Sequence, residues 1–318
     1  MQQFAIEIKN LNKSFKNFKA VDDLSLQVEK GEIYGFLGPN GAGKSTTIRM
    51  MLTLMRQDSG SISYFGEELT PKNRSIFKNI GALVEKPDFY LYLSAYRNLQ
   101  LFGEMTGTEI NKNKIYQFLE LVGLNGREKD KVKTYSLGMK QRLGIAQALI
   151  HNPEIIILDE PTNGLDPQGM KEIKDLLINL SQEQNKTIFL SSHILREVET
   201  MATSMAIINN GKTLVQGKVK DLLDNGLNTV TIKILDNINI DDLKKVFDKF
   251  NLEVNNKSEE FNFISQEKYN NYIDLVIEVS NEVIPRFINH LVSNNIDILS
   301  VSPVKSLEEY FLKLTGVK

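Results

Sequence analysis

The stretch Gly38-Pro39-Asn40-Gly41-Ala42-Gly43-Lys44-Ser45 constrains this chain more than any other. It satisfies the spacing G-x-x-x-x-G-K-[ST]. Glycines at those positions let successive backbone N–H groups turn inward and form a nest for phosphate oxygens. A helix starting at the loop adds its positive N-terminus. The apolar run Ile33–Leu37 precedes the loop and a helical pattern over Ser45–Met55 follows it, so this region reads strand, glycine turn, helix. Lys44 is long enough to reach β- and γ-phosphates, and the Ser45 hydroxyl suits a Mg²⁺ ion.

A second apolar run, Ile155–Leu158, ends in the paired carboxylates Asp159 and Glu160. A strand buried on both faces needs such a continuous run. Ligands of open α/β sheets bind at the carboxyl ends of strands. Asp159 is therefore a candidate Mg²⁺ carboxylate and Glu160 a candidate base for an attacking water, the division of labour that phosphoryl transfer requires. Phe4–Leu11 and Leu24–Val28 alternate like half-buried strands. Lys186–Leu190 and Ser204–Ile208 read as buried strands, and Pro167–Leu180 has helical periodicity. The pattern predicts an α/β domain with a largely parallel core sheet.

Composition excludes several function classes. The 318 residues carry a net charge of −2, which gives no whole-chain attraction for nucleic acid or an anionic membrane. Without cysteine, disulfides, thiol catalysis and Cys-ligated metals are all unavailable. No apolar stretch reaches the roughly 18 residues that span a bilayer. The opening MQQFAIEIKN has acidic Glu7 and no apolar core, so no secretory signal is expected. Past the turn residues Asn225-Gly226-Leu227-Asn228, the composition shifts to Asn, Lys and acidic residues. Strands are expected there over Thr229–Leu235, Tyr272–Val279 and Asp297–Val301, with helices over Asp241–Phe250, Asn281–Asn294 and Ser306–Leu314. Ser306 and Glu309 suit a capping box for the last helix. The chain therefore divides into residues 1–225 and a small α+β domain over 226–318.

Between the phosphate loop and the acid pair lies Tyr135-Ser-Leu-Gly-Met-Lys-Gln-Arg142. After the acids come Pro161-Thr-Asn-Gly-Leu-Asp166 and Ser191-Ser-His193. In this order, and over about residues 4–220, the chain resembles the ATP-binding subunits of ABC transporters. The resemblance implies an α/β P-loop NTPase of ABC ATPase type, with an antiparallel β subdomain and a helical subdomain, followed by the C-terminal α+β domain. It implies ATP and Mg²⁺ as ligands. Phe15 would stack on adenine with Val21 nearby, and Gly38 through Thr46 would hold the phosphates. Lys44, Glu160 and His193 would be catalytic, with His193 on the γ-phosphate. Ser45 and Asp159 would hold Mg²⁺. Ser136, Leu137 and Gly138 would contact the ATP of a second subunit in trans, and Asp166 would lie in the loop crossing the dimer interface. The implied assembly is a pair of nucleotide domains, two copies of this chain, on a separate transmembrane permease at the cytoplasmic face of the cell membrane, with no nucleic acid.

Two positions depart from the family pattern. The usual signature is Leu-Ser-Gly-Gly-Gln, whereas this chain has Tyr135-Ser136-Leu137-Gly138-Met139, with a bulkier Leu137 in place of the first glycine. In Ile80–Tyr90, Glu85 stands where the family has a Mg²⁺-sensing glutamine. Glu85 still offers an oxygen to Mg²⁺, but it adds charge and cannot donate from an amide; the other reading is a solvated loop residue. Both features resemble the bacitracin-resistance and lantibiotic self-immunity branch. That branch implies expulsion of a peptide antibiotic or another hydrophobic compound. Multidrug, lipid, sodium or amphipathic-peptide cargoes are alternatives, and a non-transport ABC ATPase is a more distant one. Phe89, Tyr90, Tyr92, Tyr96 and Phe102 read either as core or as a permease-docking surface. His151 and His290 lack metal-ligand spacing and are expected at the surface. Lys129, Lys131 and Lys133 are expected to form a solvated face.

Overall fold

The computed structural model describes residues 4–16, 18–85, 87–107, 111–223, 228–236, 240–255, 261–269, 271–280 and 282–303. Chain packing separates two compact units, the first ending at Val219 and the second beginning at Lys220. The turn expected at 225–227 and the helix expected over 306–314 lie outside the described residues.

In chain order the first unit opens with β1 (Ile6–Phe15), β2 (Phe18–Val28), β3 (Ile33–Leu37), α1 (Lys44–Met51), β4 (Ser59–Tyr64), β5 (Glu67–Glu68) and β6 (Ile80–Leu83). It continues through α2 (Ala95–Met105), α3 (Lys112–Leu121), α4 (Leu137–Leu149), β7 (Ile155–Asp159), α5 (Pro167–Gln182) and β8 (Thr187–Ser192). It closes with α6 (Leu195–Met201), β9 (Ser204–Asn209), β10 (Lys212–Lys218) and the start of α7 (Val219–Leu223).

Two sheets share this unit. One has the order β2-β1-β4-β5 and is antiparallel. Its first two strands run further than their clean alternation, because β1 and β2 stay paired to the hairpin tip, where Phe15 faces Phe18. The other has the order β10-β9-β3-β8-β7-β6. All its strands are parallel except the edge strand β10. Every residue of β3, β7 and β8 is buried. Covering on both faces is why these strands read as unbroken apolar runs. Phe189 of β8 stacks on Tyr34 of β3 and packs at a tilt against Phe36, with ring centroids 5.8 and 5.3 Å apart. Because β3, β8 and β7 are neighbours, the phosphate loop, the Ser191–His193 segment and the acid pair leave the same edge of one sheet.

The second unit contains β11 (Asn228–Leu235), α8 (Ile240–Asn255), β12 (Phe261–Lys268), β13 (Tyr272–Val279), α9 (Ile284–Ser293) and β14 (Ile298–Pro303). Its antiparallel sheet has the order β12-β13-β11-β14. That connection pattern is the ferredoxin-like split βαβ arrangement. Strand β12 escapes a reading by alternation because a register shift between Phe263 and Ser265 breaks its period. Helix α9 starts later than the apolar pattern suggests, with Pro285 in its first turn. Phenylalanines cluster within a largely aliphatic core, and the Phe287 ring lies 4.8 Å from Phe261, 4.9 Å from Phe250 and 5.3 Å from Phe247.

Removing that central ring should loosen the unit. Phe287→Ala is expected to cost about 3–5 kcal/mol. The loss would appear as faster amide hydrogen exchange in β11 and β13, and exchange as slow as in the wild type would contradict this core assignment.

Candidate active site

Helix α1 begins at the phosphate loop, with Gly43 as its N-cap at φ 107°. A Cβ there would sit 2.5 Å from the carbonyl oxygen of Ala20, so both conformation and space demand glycine. The Lys44 side chain is only 6 % exposed. Its Nζ donates to the carbonyls of Gly38 at 2.7 Å and Pro39 at 3.3 Å. It also pairs with Glu160 Oε1 at 3.2 Å. The ammonium is thus folded onto its own loop and held by the carboxylate that ends β7.

Glu160 occupies left-handed backbone at φ 50°. Its N–H donates to Ser191 Oγ at 2.9 Å, and that hydroxyl donates to Asp159 Oδ1 at 2.6 Å. Ser191 therefore bridges the acid pair. Glu160 Oε2 meets His193 Nδ1 at 2.7 Å. A carboxylate oxygen can only accept, so Nδ1 carries the hydrogen.

A cavity of about 470 Å³ opens over these groups. Of the residues expected from the sequence, Phe15, Asn40, Gly41, Gly43, Lys44, Ser45, Thr46, Glu160 and His193 line it. Gly38, Ala42 and Asp159 are buried, while Val21 lies in the hydrophobic core. Pro39 contributes the carbonyl that Lys44 uses. Phe18, Ala20 and Asn163 also line the cavity, and reading by motif missed them. The available signal for Phe18 was its place directly across the hairpin from Phe15.

The remaining expected residues do not line the cavity. Ser136 is the N-cap of α4, its Oγ accepting from Met139 N at 3.2 Å. Leu137 is 43 % exposed at the first turn of that helix. Asp166 caps α5 by accepting from Gly169 N at 3.0 Å. Glu85 is in left-handed backbone and pairs with Arg49, one turn beyond Ser45 on α1.

The aromatic set divides. Phe89 is buried and meets Phe102 edge to face. Tyr90 and Tyr92 are exposed. The fully buried Asn98 holds their loop, accepting from Tyr90 N and donating to the carbonyls of Tyr90 and Ser94. The lysines at 129, 131 and 133 are exposed as expected. The histidines correct the surface reading. His151 Nε2 bonds the Ile80 carbonyl at 3.1 Å, and burial pushes its imidazolium pKa down. His290 bonds the Val246 carbonyl at 3.1 Å and packs on Phe250. Each ring ties separate elements together.

Behind His193, Glu197 of α6 accepts a 2.5 Å hydrogen bond from the buried Thr162 hydroxyl. Its other oxygen is buried without a partner. Burial pushes its carboxyl pKa above the usual range, and Glu160 adds to this against the opposing pull of Thr162 and His193. A carboxyl raised in the folded state favours folding when protonated, and that contribution is lost as pH rises through the folded pKa. Glu197→Gln keeps an acceptor for Thr162 and is expected to melt above the wild type at mildly alkaline pH. The gap should close as pH falls toward 4.5, the ordinary value, and a pH-independent gap would contradict the assignment.

Comparison with known proteins bears on this site. The ABC transporter family matches residues 21–163. The chain is 42% identical over 325 residues to a bacitracin transport ATP-binding protein of Bacillus licheniformis, covering 98% of this chain and 97% of the relative. It is 41% identical over 211 residues to a lantibiotic transport ATP-binding protein of Streptococcus pyogenes, covering 66% of this chain and 90% of that one. A solved ATP-binding subunit of an ABC transporter is 29% identical with a TM-score of 0.60, over 69% of this chain and 91% of its own.

Proposed function

The chain belongs to the ABC transporter ATP-binding family, and from that premise we propose that it hydrolyses ATP to power a separate permease that expels a peptide antibiotic. The observation that carries the catalytic part is Glu160, held in left-handed backbone between Lys44 and His193 at the mouth of the phosphate loop. The likeness to bacitracin and lantibiotic transport proteins supports the cargo class.

In this reading the adenine stacks on Phe15 and the loop amides take the phosphates. Arriving phosphate oxygens replace the Gly38 and Pro39 carbonyls and Glu160 as partners of Lys44. Released, Glu160 accepts a proton from the water that attacks the γ-phosphorus. The new water oxygen–phosphorus bond forms as the bond to the β-γ bridging oxygen breaks, leaving ADP and phosphate. His193 turns from Glu160 to donate to a γ-phosphate oxygen.

The Ser45 hydroxyl and the Asp159 carboxylate, oriented by Ser191, would hold Mg²⁺. So small a donor set fits a cation that keeps phosphate oxygens and waters as its other ligands. When bound, Mg²⁺ neutralises charge on the phosphates. Glu85 would act at this metal or at the permease contact, with Arg49 balancing its charge.

The signature residues Ser136, Leu137 and Gly138 do not line their own chain's cavity, which supports a second copy presenting them to the nucleotide. Asp166 would lie at that dimer interface. Among the described residues no helix is long and apolar enough to cross a membrane. The proposed location is the cytoplasmic face of the membrane, on the permease. The C-terminal domain expected from the sequence over residues 226–318 would serve as an accessory domain for regulation or dimerisation.

Glu160→Gln is expected to lower ATPase activity by about 10²-fold or more. It should also accumulate an ATP-bound dimer, visible by size-exclusion chromatography with light scattering. In cells lacking the gene, the wild type but not Glu160→Gln should protect against bacitracin or a lantibiotic. Protection against neither, with protection against unrelated drugs, would move the cargo to the multidrug class. Glu85→Gln is expected to leave ATP binding intact and alter protection, and unchanged protection and ATPase rate would remove its proposed role.

A further inference from the structure

A cavity of about 400 Å³ lies within the second unit, between α8 and the edge strand β12. Among the described residues, Lys244, Phe247, Asp248 and Asn251 line it from the helix. Phe261, Phe263 and Gln266 line it from the strand. The four helix residues have the spacing i, i+3, i+4, i+7, which is one helix face. A face turned toward a sheet is normally apolar, yet three of these four side chains are polar.

Strand β12 brings a further polar group to the same place. Phe263 pairs with Ile277 and Gln266 with Leu275, and both partners are buried on the core side of β13. Residues three apart on a regular strand point to opposite faces. The register shift between Phe263 and Ser265 returns Gln266 to the helix side.

The walls differ in chemistry. Phe247 and Phe261 are buried, whereas Phe263 is 45 % exposed and meets Phe247 edge to face at 4.9 Å. A half-exposed ring can take a second apolar group against it. Lys244 and Asp248 are exposed, and among the described residues no ion pair joins them. A lysine N-terminal to its acid is the weaker orientation along a helix. Opposite charges therefore stand about 6 Å apart along the helix axis beside an aromatic wall.

We propose that this cavity binds a free α-amino acid with an apolar side chain. Lys244 takes the carboxylate, Asp248 takes the ammonium, and the side chain lies against Phe263 and Phe247. Both charges of such a ligand meet their complements, and charge-assisted hydrogen bonds fix its orientation. The volume is within the range of small-molecule sites. The inference rests on the second unit alone and not on the ATPase reading.

The test is isothermal titration calorimetry of the full-length chain without nucleotide, with L-phenylalanine and L-leucine as probes. Both should bind saturably. Glycine lacks the apolar body, phenethylamine the carboxylate and hydrocinnamate the ammonium, so each should bind at least about tenfold more weakly. Lys244→Gln should weaken L-phenylalanine at least about tenfold and leave phenethylamine unchanged. Asp248→Asn should weaken L-phenylalanine equally and leave hydrocinnamate unchanged. Both substitutions are at exposed positions, so wild-type melting temperatures should accompany the loss of binding. Phe263→Ala should weaken both probes. No saturable binding of either amino acid up to about 10 mM would overturn the inference, as would wild-type binding in both charge variants. The dipeptides Phe-Gly and Gly-Phe separate the two charges and should bind more weakly than L-phenylalanine. Equal or tighter binding of either would make a peptide end the occupant and overturn the assignment to a free amino acid.

Discussion

The buried ammonium of Lys44 is the constraint around which the site is built. A charge removed from water must find compensating partners. Here they are two loop carbonyls and the Glu160 carboxylate. Those partners hold the phosphate loop against the end of β7. Phosphate oxygens would offer Lys44 the same kind of contact with more charge. Glu160 is poised by the same contacts: it belongs to Lys44 and His193 until something else satisfies them.

That arrangement depends on the sheet. Asp159 and Glu160 project from the end of β7, Ser191 and His193 from the end of β8, and the phosphate loop from the end of β3. Adjacent parallel strands bring the three ends together, and burial on both faces keeps them rigid. The Ser191 hydroxyl spans two strands, donating to the Asp159 carboxylate and accepting from the Glu160 backbone N–H. Behind it, Glu197 ties the α6 helix to Thr162, so the His193 and Glu160 segments are joined at two depths.

Much of this was legible from local pattern. The phosphate loop is contiguous, and its chemistry resides in backbone amides and one lysine. The acid pair was legible because an unbroken apolar run announces a strand and the charge change announces its end. Other features were hidden because they depend on partners distant in the chain. Phe18 and Asn163 join the cavity only once hairpin and loop are folded. The pairing of Glu85 with Arg49 spans two elements. His151 and His290 look like surface residues until the Ile80 and Val246 carbonyls are brought against them. Strand β12 was masked by a bulge, which costs the alternation that sequence reading needs.

The sequence by itself determined the chemical inventory: a phosphate nest, a lysine, paired acids, a histidine and a serine-led signature, in a fixed order along an α/β chain. Order along a chain carries no distance. The tertiary structure decided which of these meet, placing Lys44, Glu160 and His193 within hydrogen-bond or ion-pair reach while leaving Ser136 and Leu137 on another helix. The physical reason is that strand order and helix packing are set by burying apolar surface over the whole unit, a sum to which no single motif holds the key.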